Sequence, residues 1–167
     1  MRKQSWVAVL VAAALCLAFA APALAKSPVR PFGGWTVGAD TGDPAKPGCP
    51  ADAFIRYGSV GQGQMLHLGH VHVVVTQCTW LNMATGSGSF DLGTITITAA
   101  NGDVLNLAQK GTFTLAPSSI QMTWTVAPGG TGRFAQATGS GTGQGFSVGA
   151  GTPESTTSIW LTGRISY

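Results

Sequence analysis

Charge is what this sequence has least of. Only 9% of its 167 residues are Asp, Glu, Lys or Arg, too few for the basic stripe that a nucleic-acid partner requires. Cysteine and histidine are scarce as well, three of each. No two cysteines stand in a CxxC spacing, so a thiolate zinc site lacks its ligands. No serine occupies a Gly-x-Ser-x-Gly elbow opening a helix; Gly86-Ser87-Gly88-Ser89 and Gly139-Ser140-Gly141 lie in strand or turn text. The glycine runs lack the following Lys-Ser/Thr of a phosphate-binding loop. Nowhere do apolar residues recur at the spacing of an amphipathic helix. Nucleotide hydrolysis and serine-nucleophile chemistry are therefore set aside, and no cofactor is expected.

The one long apolar run is at the start. Arg2 and Lys3 precede Trp6 to Ala21, and Ala23-Leu24-Ala25 has the small-x-small form of a signal-peptide cleavage site. Residues 1–25 read as a signal peptide, Cys16 being lost with it, and the destination as the periplasm or the exterior. The remaining 142 residues carry seven basic against six acidic side chains. Most of the apparent basicity thus leaves with the signal, and the mature surface must be built from Thr, Ser, Gln, Asn and Gly. Cys49 and Cys78 remain, and in an oxidising compartment an even pair reads as one disulfide. Closing a loop of roughly 30 residues, it would stabilise the fold by about 3.5 kcal/mol in the chain-entropy account.

Residues 26–50 read as a proline- and glycine-rich arm, Pro28, Pro31, Pro44, Pro47 and Pro50 denying it a long helix. Only Trp35-Thr36-Val37 offers a brief pairing, and the arm is expected to be mobile up to about Phe32. From residue 51 to 167 the text is strand after strand. The first begins at Phe54-Ile55-Arg56-Tyr57 and is broken by Gly58, Gly61 and Gly63. Met65 to Cys78 is the longest, interrupted at Gly69. Ile95 and Ile97 share a face, Asn101-Gly102 is the favoured pair for a tight hairpin, and Leu105 and Leu107 return together. Ile120, Met122, Trp124 and Val126 alternate with polar residues, as do Ile159, Leu161 and Ile165. About eight strands at short spacing predict an all-β protein, a single antiparallel barrel whose last strand closes against its first.

Two stretches carry a family resemblance. Gly129-Gly130-Thr131-Gly132-Arg133-Phe134, together with Ala99-Ala100-Asn101-Gly102-Asp103 upstream, resembles the pattern of the allene oxide cyclase and dirigent type of barrel, a calycin-like architecture. Bacterial secreted proteins share it. The likeness spans roughly residues 60 to 167. It implies the same barrel, with Phe134 plugging the core and an interior able to hold a small hydrophobic molecule. His67-Leu68-Gly69 matches part of a further stretch of those relatives, which implies that His67 serves the fold, inside the wall or at its rim.

Site residues are few. Trp80, Phe113, Met122 and Trp124 are the large side chains expected near the barrel interior, either around a ligand or simply as core. His70 and His72 would share a strand face and are the only candidates to chelate a metal, but no third ligand is nominated. Among the carboxylates Asp91 is the one expected to face the interior, since Asp40, Asp43 and Asp52 fall in the arm and Asp103 and Glu154 in turns. The resulting expectation is an exported, non-catalytic barrel for a small hydrophobic molecule, with no nucleic-acid partner and no stable membrane insertion. Two alternatives remain: a dirigent- or cyclase-like protein steering a reactive intermediate, and a small outer-membrane barrel. Intact-mass analysis of the exported protein should give a chain starting at Lys26; a retained leader would contradict cleavage after Ala25.

Overall fold

The computed structural model describes residues 27–167; the signal-peptide reading of residues 1–25 lies outside them. Eight strands follow one another: β1 Val29–Asp43, β2 Ile55–Met65, β3 Gly69–Asn82, β4 Ser87–Ala99, β5 Val104–Leu115, β6 Ser118–Val126, β7 Thr138–Val148 and β8 Thr156–Ser166. Each pairs antiparallel with its neighbours in sequence, and β8 pairs with β1, so the sheet is a closed barrel. The single helical element among the described residues is a short 3₁₀ turn, Gly132–Phe134. Among the described residues no helix is long and apolar enough to cross a membrane.

The segment read as an arm is the strand that closes the barrel. β1 pairs on one edge with β2 and on the other with β8, from Val29 opposite Ser166 to Ala39 opposite Thr156. Its prolines do not prevent this, because Pro31 and Pro44 stand near its start and just past its end, where a missing amide costs little. The expected mobility up to Phe32 is likewise wrong, since Phe32 is buried against Trp124. Two other boundaries move. β2 runs unbroken through Gly58, Gly61 and Gly63. Met65 to Cys78 is not one strand: the chain turns over residues 66–68, with His67 and Gly69 both at positive φ.

Alternation puts the apolar side chains inside. Val71, Val73, Ile95, Ile97, Leu105, Leu107, Trp124, Phe134, Leu161 and Ile165 form one buried cluster. The large Trp124 fits because the facing inward positions on β7 and β8 are Gly141 and Gly163. A Cβ on either would lie 2.5 Å from its indole. Many outward positions on β4 to β7 are polar: Thr94, Lys110, Thr112, Gln121, Thr123, Thr142 and Gln144 are all exposed, alongside the apolar Leu115, Phe146 and Val148.

The two stretches singled out in the sequence meet at one end of the barrel. Thr131 N donates to Val104 O, and Val104 N donates to Thr131 Oγ1. Arg133 Nε stands 3.4 Å from Asp103 Oδ2, and Arg133 Nη2 donates to the carbonyl of His67. Gly132 has φ 54°, and any Cβ there would collide with the Asp103 carboxylate. This clasp seats Phe134 at 1% exposure, edge-on to Tyr167 at 4.9 Å between ring centres. His67 thus serves the rim through its carbonyl, while its side chain is exposed. At the other end of the barrel the Cys49–Cys78 disulfide is formed, S–S 2.04 Å. It pins the β1–β2 connection to the outer face of β3.

The strand after the clasp begins only at Thr138, because the 3₁₀ turn and an α-type Ala135 occupy the residues before it. That irregular stretch frees Phe134 and Gln136 from strand parity: one is buried and the other exposed. Phe134→Ala should therefore cost about 3–5 kcal/mol in a denaturant melt, and Gln136→Ala under about 0.5 kcal/mol.

Candidate functional site

Core packing fills only the clasped half of the barrel. Toward the opposite end, between the turns at residues 44–54, 83–86, 116–117 and 149–155, a cavity of about 450 Å³ remains. Small inward residues on β1 and β2 make room for it: Thr36, Gly38, Ser59 and Gly61 all line the space. Its far wall is apolar, built from Phe90, Ile95, Phe113, Ile120 and Met122, with Val73 and Val75 beside them.

The near wall is polar and centres on Asp40. Tyr57 Oη donates to Asp40 Oδ1 at 2.5 Å, while Ser155 Oγ and Thr157 Oγ1 donate to Asp40 Oδ2 at 2.7 and 2.8 Å. Asp40 N also donates to the Ser155 carbonyl. Because the Thr157 proton goes to Asp40, the 2.6 Å contact between Ser147 and Thr157 has Ser147 as donor. Further round the wall Gln109 Nε2 donates to Gln77 Oε1 at 2.8 Å. Thr79, 8% exposed, also lines the cavity, and its Oγ1 has no hydrogen-bond partner. Asp40 is the only charged side chain among the described residues that line the space.

Tyr57 is the titratable group most altered by this setting. Burial in the wall pushes its phenol well above the ordinary value, and the hydrogen bond it gives to Asp40 adds to the shift. The phenol thus stays protonated and remains a donor to the carboxylate.

Of the aromatic and thioether residues expected near the interior, Phe113 and Met122 do line the cavity. Trp124 does not: it belongs to the packed half, 1% exposed, its Nε1 donating to Thr142 O. Trp80 does not either. It lies on the outer face of β3, where its Nε1 donates to Asp52 Oδ2, because Thr79 and Leu81 take the inward positions. His70 and His72 do share a face, the exposed outer one, opposite Gln64 and Gln62 of β2. Among the described residues no group of three His, Cys, Asp or Glu comes together.

The interior carboxylate is Asp40, not Asp91. A bulge in the β4–β5 pairing between Phe90 and Gly93 leaves both Asp91 and Leu92 exposed, Leu92 at φ 51°. The Asp91 carboxylate accepts only from the adjacent Leu92 amide. Sequence reasoning missed Asp40, Tyr57, Ser155, Thr157 and the two glutamines. The signal was the Thr36-Gly38-Asp40 alternation, which is masked by the apolar Trp35, Val37 and Ala39 on the other parity.

No protein-family model matches the chain, and no curated protein matches it. Among solved structures it is similar to a β-barrel-like protein from Acinetobacter baumannii AYE, at 14% identity and a TM-score of 0.41. That similarity covers 81% of this chain and 96% of the other.

The raised Tyr57 value fixes a pH dependence. The unfolded chain releases this proton near the ordinary 10.0 while the folded protein holds it. The contribution is therefore complete below pH 10 and is lost as the pH climbs above it. Urea melts between pH 8 and 11 should show stability falling over the alkaline part, with a shallower fall in Tyr57→Phe. At pH 7 that variant should lose about 1–3 kcal/mol, since a hydrogen bond to the half-buried carboxylate goes.

Proposed function

We propose that this protein is an exported, non-catalytic barrel that binds a small hydrophobic molecule inside its open half. The observation that carries the reading is the cavity of about 450 Å³, apolar on one wall and bearing a few convergent polar groups on the other. Ligand sites have that size and that make-up. The Cys49–Cys78 disulfide fits an oxidising compartment, and the Ala23-Leu24-Ala25 site fits export. The polarity of the wall argues against an outer-membrane barrel. Such barrels are apolar outside and polar inside, whereas Ile95, Ile97, Leu105 and Leu107 point inward here and Thr94, Lys110, Gln121 and Thr123 outward.

A dirigent- or cyclase-like role, steering a reactive intermediate, is favoured by one observation: the Asp40–Tyr57 pair faces an otherwise apolar space. Product analysis of a chiral coupling or cyclisation run with and without the protein separates the two readings.

Binding is tested with N-phenyl-1-naphthylamine, a neutral apolar dye that brightens out of water. Saturable one-to-one enhancement is expected. Val75→Trp, which fills the cavity from β3, should abolish it while leaving the β-sheet circular dichroism unchanged. Enhancement that survives the filling would refute binding in the barrel.

A further inference from the structure

The apolar cavity carries an uncompensated negative charge. Asp40 is the only ionisable carboxylate on its lining, and no Lys, Arg or His among the described residues lines the space. Three hydroxyls, those of Tyr57, Ser155 and Thr157, direct their protons at it. A carboxylate accepts about four hydrogen bonds. Two reach Oδ2 and one reaches Oδ1, so the free acceptor position is on Oδ1.

The surrounding hydroxyls share this bias. Having given its proton to Asp40, Tyr57 can offer an incoming molecule lone pairs only, and the Thr157 oxygen already accepts from Ser147 and lies 2.9 Å from Tyr57 Oη. Around Asp40 the positions left open are therefore acceptors, while the free donors on the lining stand elsewhere, on the Gln77 and Gln109 amides and the Thr79 hydroxyl. A second feature independently marks the cavity as built for an occupant. The Thr79 hydroxyl is more than nine-tenths buried, lines the space and has no partner, a state that native interiors rarely leave uncorrected.

We propose that the occupant is an amine-bearing apolar molecule. Its protonated nitrogen takes the free position on Asp40, its hydrocarbon body lies against Phe90, Ile95, Phe113 and Met122, and a second polar group reaches Thr79. An ammonium brings both the opposite charge and a donor for the free position on Asp40. A carboxylate brings a like charge to a site with no cation to receive it, and juxtaposed like charges are strongly disfavoured. The proposal rests on the cavity being a ligand site and adds the class of ligand it takes.

The test is calorimetric titration at pH 7 with decylamine, decanol and decanoic acid, each kept below its aggregation concentration. The three share a body and differ only in the head group. Decylamine should bind about tenfold or more tightly than decanol, an increment of about 1.4 kcal/mol, and decanoic acid more weakly than either. In Asp40→Asn the amine should fall to about the affinity of the alcohol. Equal binding of all three by the native protein would overturn the proposal and leave the ligand-binding barrel standing. An amine preference undiminished in a folded Asp40→Asn protein would also overturn it. If neither these compounds nor the naphthylamine dye bind, both readings fall together.

Discussion

Everything in this molecule depends on the pairing of β1 with β8. A sheet of eight strands left open exposes two long edges of unpaired amides and carbonyls; closure removes both. Here the closing register, from Val29 with Ser166 to Ala39 with Thr156, also assembles the chemistry. It sets Asp40 beside Ser155 and Thr157, more than a hundred residues away in sequence. It also brings Phe32 onto Trp124 in the packed half.

The two halves of the barrel do different work because their inward side chains differ in size. On the clasped half, large residues meet glycines, as Trp124 meets Gly141 and Gly163, and the space is filled. On the other half, short residues of β1 and β2 face the apolar side chains of β4 to β6 across a gap that none of the described residues fills. The GGTGRF and AANGD stretches both lie at the filled end, joined through Thr131, Val104, Asp103 and Arg133. They build the fold and stand away from the cavity, so they bear on architecture and are silent on the ligand.

The polar wall is stabilised by mutual dependence. A half-buried carboxylate without a cation is tolerated when hydroxyls hydrogen-bond it, and Tyr57, Ser155 and Thr157 fill three of its acceptor positions. In return the carboxylate fixes the direction of each hydroxyl, leaving acceptors toward the cavity. Charge scarcity is part of this design: Asp40 dominates the field of the cavity, since among the described residues no opposing charge lies on its lining.

Much of the fold was legible in the sequence, because alternation of side chains with period two is a local property of an extended chain. It pointed to a barrel of about eight strands and to the inward Ile95, Ile97, Leu105 and Leu107, while turn chemistry marked the Asn101-Gly102 hairpin and an even count the cysteine pair. The clasp glycines were legible too, as turns that only glycine makes cheaply. Local pattern failed where a strand carries its apolar residues outward. In β1 Trp35 and Val37 are exposed and Thr36, Gly38 and Asp40 face in, so the strand looked like a solvated arm and its carboxylate like a loop residue. It failed again at Asp91, where the bulge ahead of Gly93 shifts which side chains face inward. Whether a polar residue lies inside or outside is decided by which strands curve round to meet it. That curvature belongs to the closed sheet as a whole, and no single strand encodes it.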